Sequence, residues 1–137
     1  MVVNKKGPAK FRACVNFQPL NEVLEVDPEL SLYAGGDPDS ILMYAAQAQV
    51  MCSLDCKEAH NCLEVPEEDR GLLGILVPGV GIFRSKRGQF GILTVSKVWI
   101  KAMHMSIGWL QDQGVFFYAD DIVILGKDFD HCFYLLT

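Results

Sequence analysis

Two adjacent aspartates between two short apolar runs constrain the fold of this chain more than any other feature. The runs 114–117 and 122–125 are rich in β-branched and aromatic residues, so both are predicted to form strands. The segment Tyr118-Ala119-Asp120-Asp121 then lies at the tip of a β-hairpin. Because side chains alternate along a strand, Asp120 and Asp121 can share one direction only where a turn redirects one of them.

The carboxylates at this tip have two possible interpretations. Negative charge concentrated between buried strands destabilises a fold unless a cation compensates it, and a divalent metal with oxygen ligands is one such cation. The alternative is a polar turn in a chain that contains 17 acidic residues. The hairpin alone leaves both interpretations open.

The composition predicts a globular, intracellular domain. A length of 137 residues, half of them hydrophobic and 21% charged, suits one domain with a core. We expect no membrane span and no secretion, because no apolar run reaches about 18 residues and the N-terminus lacks the apolar stretch of a signal peptide. A cytoplasmic or nuclear location is therefore expected, with the five cysteines present as thiols.

The charge distribution permits a local site for phosphate. A net charge of -5 argues against a generally basic, nucleic-acid-binding surface. However, Lys5, Lys6, Lys10 and Arg12 form a basic cluster without an acid among them, and a net-acidic protein can still bind phosphate locally. The alternative for this cluster is a solvated charged face.

Apolar patterning places strands between helices, which predicts a mixed α/β domain with helices on one face of a sheet. The predicted strands cover 11–17, 50–54 and the two arms of the hairpin, and the run 72–77 is apolar. Helices are predicted from a cap at Asp39 or Ser40 to about Gln49, over 92–110, and over 129–136.

Four residues with metal-binding side chains lie close together in the sequence: Cys52, Cys56, His60 and Cys62. Structural zinc sites usually combine two ligand pairs a dozen or more residues apart, and no second pair follows here. We therefore favour small buried thiols over a zinc site. A thiol nucleophile is also possible, but no residue marks which histidine would activate which cysteine.

Asp55 follows the predicted strand 50–54 and is the natural partner of the hairpin pair. Carboxylates of Asp55, Asp120 and Asp121 at the ends of adjacent strands could hold two Mg²⁺ or Mn²⁺ ions. Two such ions about 3.5–4 Å apart can activate a 3′-hydroxyl and stabilise the leaving oxygen of a phosphoryl transfer. Arg12 would suit bidentate contact with a triphosphate, and Lys5 would act as a point charge.

Several segments resemble one family, in order and at close to its spacing. Lys10-Phe11-Arg12-Ala13-Cys14-Val15-Asn16-Phe17-Gln18-Pro19-Leu20-Asn21 is similar to K-x-R-x-C-V-D-Y-R-x-L-N, and Tyr118-Ala119-Asp120-Asp121-Ile122-Val123-Ile124 to Y-x-D-D-I-x-I. Ser53-Leu54-Asp55, Val65-Pro66-Glu67-Glu68-Asp69-Arg70, Arg87-Gly88-Gln89-Phe90-Gly91-Ile92 and Asp130-His131 with Leu135 are similar to further segments of the same family. The chain resembles the fingers-palm part of a reverse transcriptase, most closely those of gypsy-type LTR retrotransposons.

The resemblance implies an α+β fold: a palm with an antiparallel sheet and helices on one face, plus partial fingers. It implies a single domain over 1–137, with fingers in 1–50 and palm in 51–137. Because the chain ends at Thr137, we expect no thumb and no ribonuclease H domain.

The resemblance also implies roles for individual residues. Asp55, Asp120 and Asp121 would bind two Mg²⁺ or Mn²⁺ ions and carry catalysis. The partners would be an RNA or DNA template with its primer and a dNTP, and no membrane. The nucleotide-binding residues would be Lys5, Arg12, His60, Phe90 and Gly91, with His60 in the place of an aromatic residue that screens out a ribose 2′-hydroxyl.

Departures from the family leave competing hypotheses. Asn16 and Gln18 replace an aspartate and an arginine, the segments 72–75 and 94–100 have lost the family's motifs, and 35–39 is an insertion. The first hypothesis is an RNA-directed DNA polymerase of retroelement origin that transfers deoxynucleotides to a primer 3′-end. The alternative is a non-catalytic remnant that binds a partner or nucleic acid. A third is a small magnesium-binding protein with phosphatase-like or nuclease-like activity. The sequence does not indicate an oligomeric state.

Overall fold

A computed structural model of the chain describes the backbone of residues 2–4 and 11–137 and the side chains of residues 14–137. The chain forms two compact units that alternate along the sequence. The first contains Met1–Glu25 and His60–Ser96, and the second contains Val26–Ala59 and Lys97–Thr137. The expected division into fingers and palm after residue 50 stays a prediction.

The first unit is built from short strands, arranged as two antiparallel pairs. Strand β1 (Val2–Asn4) pairs with β2 (Phe11–Ala13), and β4 (Gly74–Val77) pairs with β5 (Gly81–Arg84). Helix α1 (Gln18–Asn21) follows β2, and a 3-10 helix over Glu67–Leu73 precedes β4.

The core of the first unit forms where these short elements meet. Phe17, Leu73 and Ile92 are buried together, with Val15 and Val95 packed against them. The predicted strand 11–17 ends early, at Ala13, and helix α1 begins at Gln18 with Pro19 in its first turn.

The second unit contains a three-stranded antiparallel sheet. Its strands are β3 (Val50–Asp55), β6 (Val115–Tyr118) and β7 (Asp121–Gly126), in the order β3-β7-β6. Its helices are α2 (Pro38–Ala45), α4 (Phe129–Leu136) and 3-10 helices over Pro28–Leu32 and Gly108–Gln113. Helix α3 (Leu93–Ile107) begins in the first unit and continues in the second.

The core of the second unit lies between the sheet and α4. Val115 on β6, Ile124 on β7 and Cys132 on α4 are buried in one cluster, with Leu110 and Leu135 against it. Because β7 is the central strand, both its neighbours share this layer. The fold therefore combines helices with antiparallel sheet, as predicted.

The cysteines near β3, which the sequence predicts to be buried thiols, are not fully buried. Cys52 and Cys56 are half-buried and Cys62 is exposed, because β3 is an edge strand of the sheet.

The helix predicted over 92–110 ends at Ile107, where a 3-10 helix follows, and both boundaries of α2 also differ from the sequence prediction. The cap of α2 is Asp37 rather than Asp39 or Ser40: its side chain accepts a hydrogen bond from the Asp39 backbone N–H, and Pro38 occupies the first turn. Helix α2 ends at Ala45, short of Gln49, because the Gln49 N–H donates to the Gly126 carbonyl at 3.0 Å.

Within the described residues, every helix is too short or too polar to cross a lipid bilayer.

Candidate active site

The register of the sheet brings two of the predicted site residues face to face. Asp55, the last residue of β3, is the Cα partner of Asp121, the first residue of β7. Residues paired directly across antiparallel strands carry their side chains on one face, with Cβ atoms about 4.5–5.5 Å apart. Both carboxylates therefore project from the same face at the same end of the sheet.

Asp120 lies in the turn between β6 and β7. Tyr118 and Asp121 are Cα partners, so Ala119 and Asp120 form a two-residue hairpin turn. Ala119 has a φ of +55°, whereas Asp120 is not in the positive-φ region. This sign pattern is that of a type II′ turn, which suits the twist of a hairpin but normally takes glycine at the first position. The turn frees Asp120 from the strict alternation of the strands.

A backbone contact ties the turn to the strand that carries Asp55. The Cys56 N–H donates a hydrogen bond to the Asp120 carbonyl at 2.9 Å. Asp120 is therefore anchored beside the residue that follows Asp55. Asp55, Asp120 and Asp121 all lie at one end of the β3-β7-β6 sheet, as the sequence predicts for a shared site.

The exposure of the carboxylates changes the electrostatic argument. Asp55 and Asp121 are exposed and Asp120 is half-buried. An exposed carboxylate keeps its hydration, so burial does not force a compensating cation at this tip, contrary to the expectation from the flanking strands. A reason for a metal here must come from the convergence of oxygen ligands, not from desolvation.

The aspartates meet only part of the requirement for a divalent metal. Their oxygen donors are the type that Mg²⁺ and Mn²⁺ prefer, and their backbones lie side by side. However, among the side chains of residues 14–137, no three His, Cys, Asp or Glu residues are placed to hold one ion. Binding would therefore require these aspartates to adopt rotamers that bring their carboxylate oxygens together.

The loop that contains Gly35 and Gly36 packs against the β6-β7 hairpin. The Ala119 N–H donates to the Gly35 carbonyl at 3.2 Å, so this loop continues the hydrogen bonding of β6. Gly36, with a φ of +103°, passes so close that an added Cβ would lie 2.3 Å from the Phe117 carbonyl oxygen. Only glycine permits this approach. Gly35 and Gly36, expected from the sequence to be an insertion, are therefore part of the support of the turn.

Helix α3 supports the same turn from another side. The Trp99 indole Nε1 donates a hydrogen bond to the Ala119 carbonyl at 2.9 Å. One turn further along α3, the His104 ring packs edge-on against Phe117 and its Nε2 lies 2.8 Å from the Ala34 carbonyl oxygen. Two ring systems of one helix thus contact both the hairpin and the loop beside it.

An ion pair fixes the start of that loop. Lys101 of α3 binds Glu29 in the 3-10 helix before the loop, and its ammonium lies 5.6 Å from the centre of the Tyr33 ring. The hydrogen bond to Glu29 raises the pKa of Lys101 above its ordinary value. Lys101 therefore stays charged across the physiological range and holds the 3-10 helix to α3.

Three predicted nucleotide-binding residues lie in the first unit. His60 Nε2 is 3.2 Å from the Ser96 hydroxyl, and the His60 ring packs edge-on against Phe90 at a centroid distance of 5.3 Å. Phe90 is 74% exposed, so one surface of its ring is open to a ligand. Gly91 comes next, with a φ of +94°, a conformation that favours glycine.

Asn21 holds the backbone around Gly91 in place. Its Nδ2 donates to the Gly91 carbonyl at 2.8 Å, and its Oδ1 accepts from the Leu93 N–H at 3.0 Å. The amide thus bridges the turn that starts α3. Asn21 belongs to the segment 10–21, whose resemblance to a family indicated no role for this residue.

The remaining two predicted nucleotide contacts are not tested by the structure. Lys5 lies outside the described residues, and Arg12 is described only as a backbone position in β2. Their proposed contacts with phosphate stay predictions.

Comparison with known proteins identifies the fold. No family model and no curated protein matches the chain. The solved structure of the foamy viral protease-reverse transcriptase in complex with RNA/DNA hybrid matches 98% of the chain with a TM-score of 0.78 and 13% identity. The crystal structure of native Prototype Foamy Virus protease-reverse transcriptase also matches 98%, with a TM-score of 0.78 and 17% identity.

The match covers only a small part of each solved protein. The chain spans 17% of the length of each of these two solved chains. At sequence identities of 13% and 17%, these matches establish the architecture of the chain but not its family. The gypsy-type assignment therefore stays a prediction. The coordinates and the comparisons together establish that this chain has a reverse-transcriptase-like fold of helices and antiparallel sheet.

Proposed function

We propose that the chain is an RNA-directed DNA polymerase domain of retroelement origin, which acts inside the cell. It would transfer a deoxynucleotide from a dNTP to the 3′-end of a primer paired to an RNA or DNA template. The assignment to gypsy-type elements rests on the sequence segments around Arg12, Phe90 and the hairpin tip.

One observation carries this proposal: the pairing of Asp55 with Asp121 beside the turn that contains Asp120. The three carboxylates come from two strands and a turn that are distant in sequence but share one sheet end. The reverse-transcriptase-like fold, which matches solved reverse transcriptases over 98% of the chain, supports the same interpretation.

The residues divide the chemistry between them. Asp55 and Asp121 would hold metal from one face of the sheet, and Asp120 would add its carboxylate from the turn. Divalent ions bound there would activate a primer 3′-hydroxyl and stabilise the leaving oxygen. Tyr118 presents an exposed ring beside Asp121, on which a nucleotide sugar or base could pack.

The nucleotide would be held by residues of the first unit. Lys5 and Arg12 would contact its phosphates, the exposed Phe90 ring would pack against it, and Gly91 would allow close approach of the backbone. His60 would border the sugar. Its hydrogen bond to Ser96 would orient the imidazole, so selectivity against a 2′-hydroxyl would depend on this pair.

A second candidate function is a non-catalytic domain that binds nucleic acid or a protein partner. The observation that favours it is the lack of a three-ligand metal cluster among side chains 14–137. A protein that only binds nucleic acid has no need for converging carboxylates.

Primer extension separates the two candidates. The full chain is incubated with an RNA template, a labelled DNA primer, dNTPs and Mg²⁺ or Mn²⁺, beside Asp120→Asn and the exposed control Asp112→Asn. The polymerase proposal predicts extension by the wild type and by Asp112→Asn, and loss of at least about 100-fold in Asp120→Asn. No extension by a folded wild type, with retained binding of the RNA/DNA hybrid, would establish the second candidate instead.

A further inference from the structure

We propose that Trp99 is a positioning residue that orients Asp120 for metal binding. This inference rests on the proposed function, because it assigns a role within the same site. Trp99 does not touch the reacting atoms: it acts through the Ala119 carbonyl, to which its indole N–H donates at 2.9 Å.

Three successive peptide groups of the turn are each held by a different partner. The peptide between Tyr118 and Ala119 donates to Gly35, and the peptide between Asp120 and Asp121 accepts from Cys56. The peptide between them accepts from Trp99. Since peptide groups are rigid planes, fixing the planes on both sides of a Cα fixes the direction of its Cα–Cβ bond, from which the side chain starts. Asp120 has such a fixed plane on each side.

The conformation of the turn explains why this support is needed. Ala119 has a φ of +55°, which an L-residue with a Cβ adopts only against a steric cost. Without external bonds, the turn would relax toward negative φ and rotate the peptide that leads into Asp120. Trp99 is the one of the three anchors that is a side chain, so it alone can be removed by substitution.

The contributions of the aromatic ring and of the N–H donor of Trp99 can be tested separately. Trp99 is half-buried, and Trp99→Phe keeps an aromatic ring at this position while it removes the indole N–H. The chain offers a matched control: Trp109 is 68% exposed, and its Nε1 donates to the Ser106 carbonyl at 3.1 Å. Trp109→Phe also removes a bond from an indole to a carbonyl, but away from the turn.

The test is the affinity of the full chain for Mn²⁺, measured by the loss of the free-ion EPR signal, beside thermal unfolding of each variant. We expect Trp99→Phe to raise the dissociation constant about five-fold, the effect of one net hydrogen bond. Trp109→Phe should leave it unchanged, and Asp120→Asn should weaken binding more than Trp99→Phe. A purely structural Trp99 would lower the melting temperature and leave the affinity of the folded protein unchanged, and this outcome overturns the inference.

The outcomes separate this inference from the proposed function. Binding that is lost in Asp120→Asn but unaffected by Trp99→Phe overturns the positioning role alone. Binding by the wild type that Asp120→Asn does not change, or no binding at all, overturns the metal site and the inference with it. If Trp99→Phe does not fold, the Trp109→Phe protein provides the test, because Trp99 is then the one remaining indole. We expect the fluorescence emission of Trp99 to shift as Mg²⁺ saturates the site. An unchanged emission spectrum overturns the positioning role.

Discussion

Substitution of Gly36 by alanine should damage the support of the Ala119-Asp120 turn. Gly36 has a φ of +103°, and a Cβ built on it would lie 2.3 Å from the Phe117 carbonyl oxygen and 3.2 Å from the Tyr118 Cα. Both of these atoms belong to backbone, so neither can move aside as a flexible side chain would. The loop must therefore withdraw from the edge of β6.

The expected loss of stability has two parts. A residue with a Cβ at positive φ costs about 1–2 kcal/mol. Withdrawal of the loop also breaks the hydrogen bond from the Ala119 N–H to the Gly35 carbonyl, which is worth about 1 kcal/mol. Gly36→Ala should therefore lower the free energy of unfolding by about 2–3 kcal/mol.

Urea unfolding, followed by circular dichroism, measures this value, and two glycines serve as controls. Gly79 has a φ of +78° with no atom within 4 Å of its built Cβ, so Gly79→Ala should cost only the conformational part, about 1–2 kcal/mol. Gly108 has ordinary φ and meets only the His104 side chain, at 3.5 Å, so Gly108→Ala should change stability by less than about 1 kcal/mol. Equal losses for Gly36→Ala and Gly79→Ala would refute the close approach.

The second unit supports two further predictions. Phe117 is 1% exposed and Phe133 is 59% exposed. In urea unfolding, Phe117→Ala should lower the free energy of unfolding by about 3–5 kcal/mol, and Phe133→Ala by less than about 1 kcal/mol. Similar losses for the two variants would contradict the placement of the core. The hydrogen bond from Ser40 holds the pKa of Asp37 below its ordinary value of 3.8, so the charged cap stabilises α2 above that pH and loses its effect as the pH falls through the lowered value. Asp37→Asn should therefore melt at a lower temperature than the wild type at pH 7, with the difference shrinking below pH 3.8, and a difference independent of pH would contradict this linkage.

The elements around the site could be predicted from the sequence because their signals are local. The apolar runs on both sides of Tyr118-Ala119-Asp120-Asp121 gave a hairpin with the aspartates at its tip, and β6 and β7 confirm it. Strand β3 and helix α4 were also found within a residue of their bounds. In these segments, side-chain spacing and strand propensity agree with the tertiary fold.

The supports of the turn could not be predicted, because they depend on contacts between segments distant in sequence. From the sequence, Trp99 was only one residue of the predicted helix over 92–110, and Gly35 and Gly36 were only part of an expected insertion. Strand β5 was missed because Gly79 and Gly81 suggested that the preceding run ends in a loop, whereas Gly79 lies in the turn of the β4-β5 hairpin and Gly81 is the first residue of β5. The orientation of the carboxylates could not be predicted from the sequence either, because exposed aspartates have several accessible rotamers.

Paramagnetic broadening by Mn²⁺ in NMR spectra of the full chain tests the central claim most directly. The ion broadens the amide signals of residues close to it, so its position can be compared with a second acidic cluster, Glu67, Glu68 and Asp69 in the first turn of a 3-10 helix. The account predicts that substoichiometric Mn²⁺ broadens Asp55, Asp120 and Asp121 first, and that Asp120→Asn suppresses the effect. Broadening centred on residues 67–69, or unaffected by Asp120→Asn, would contradict the metal site at the hairpin tip.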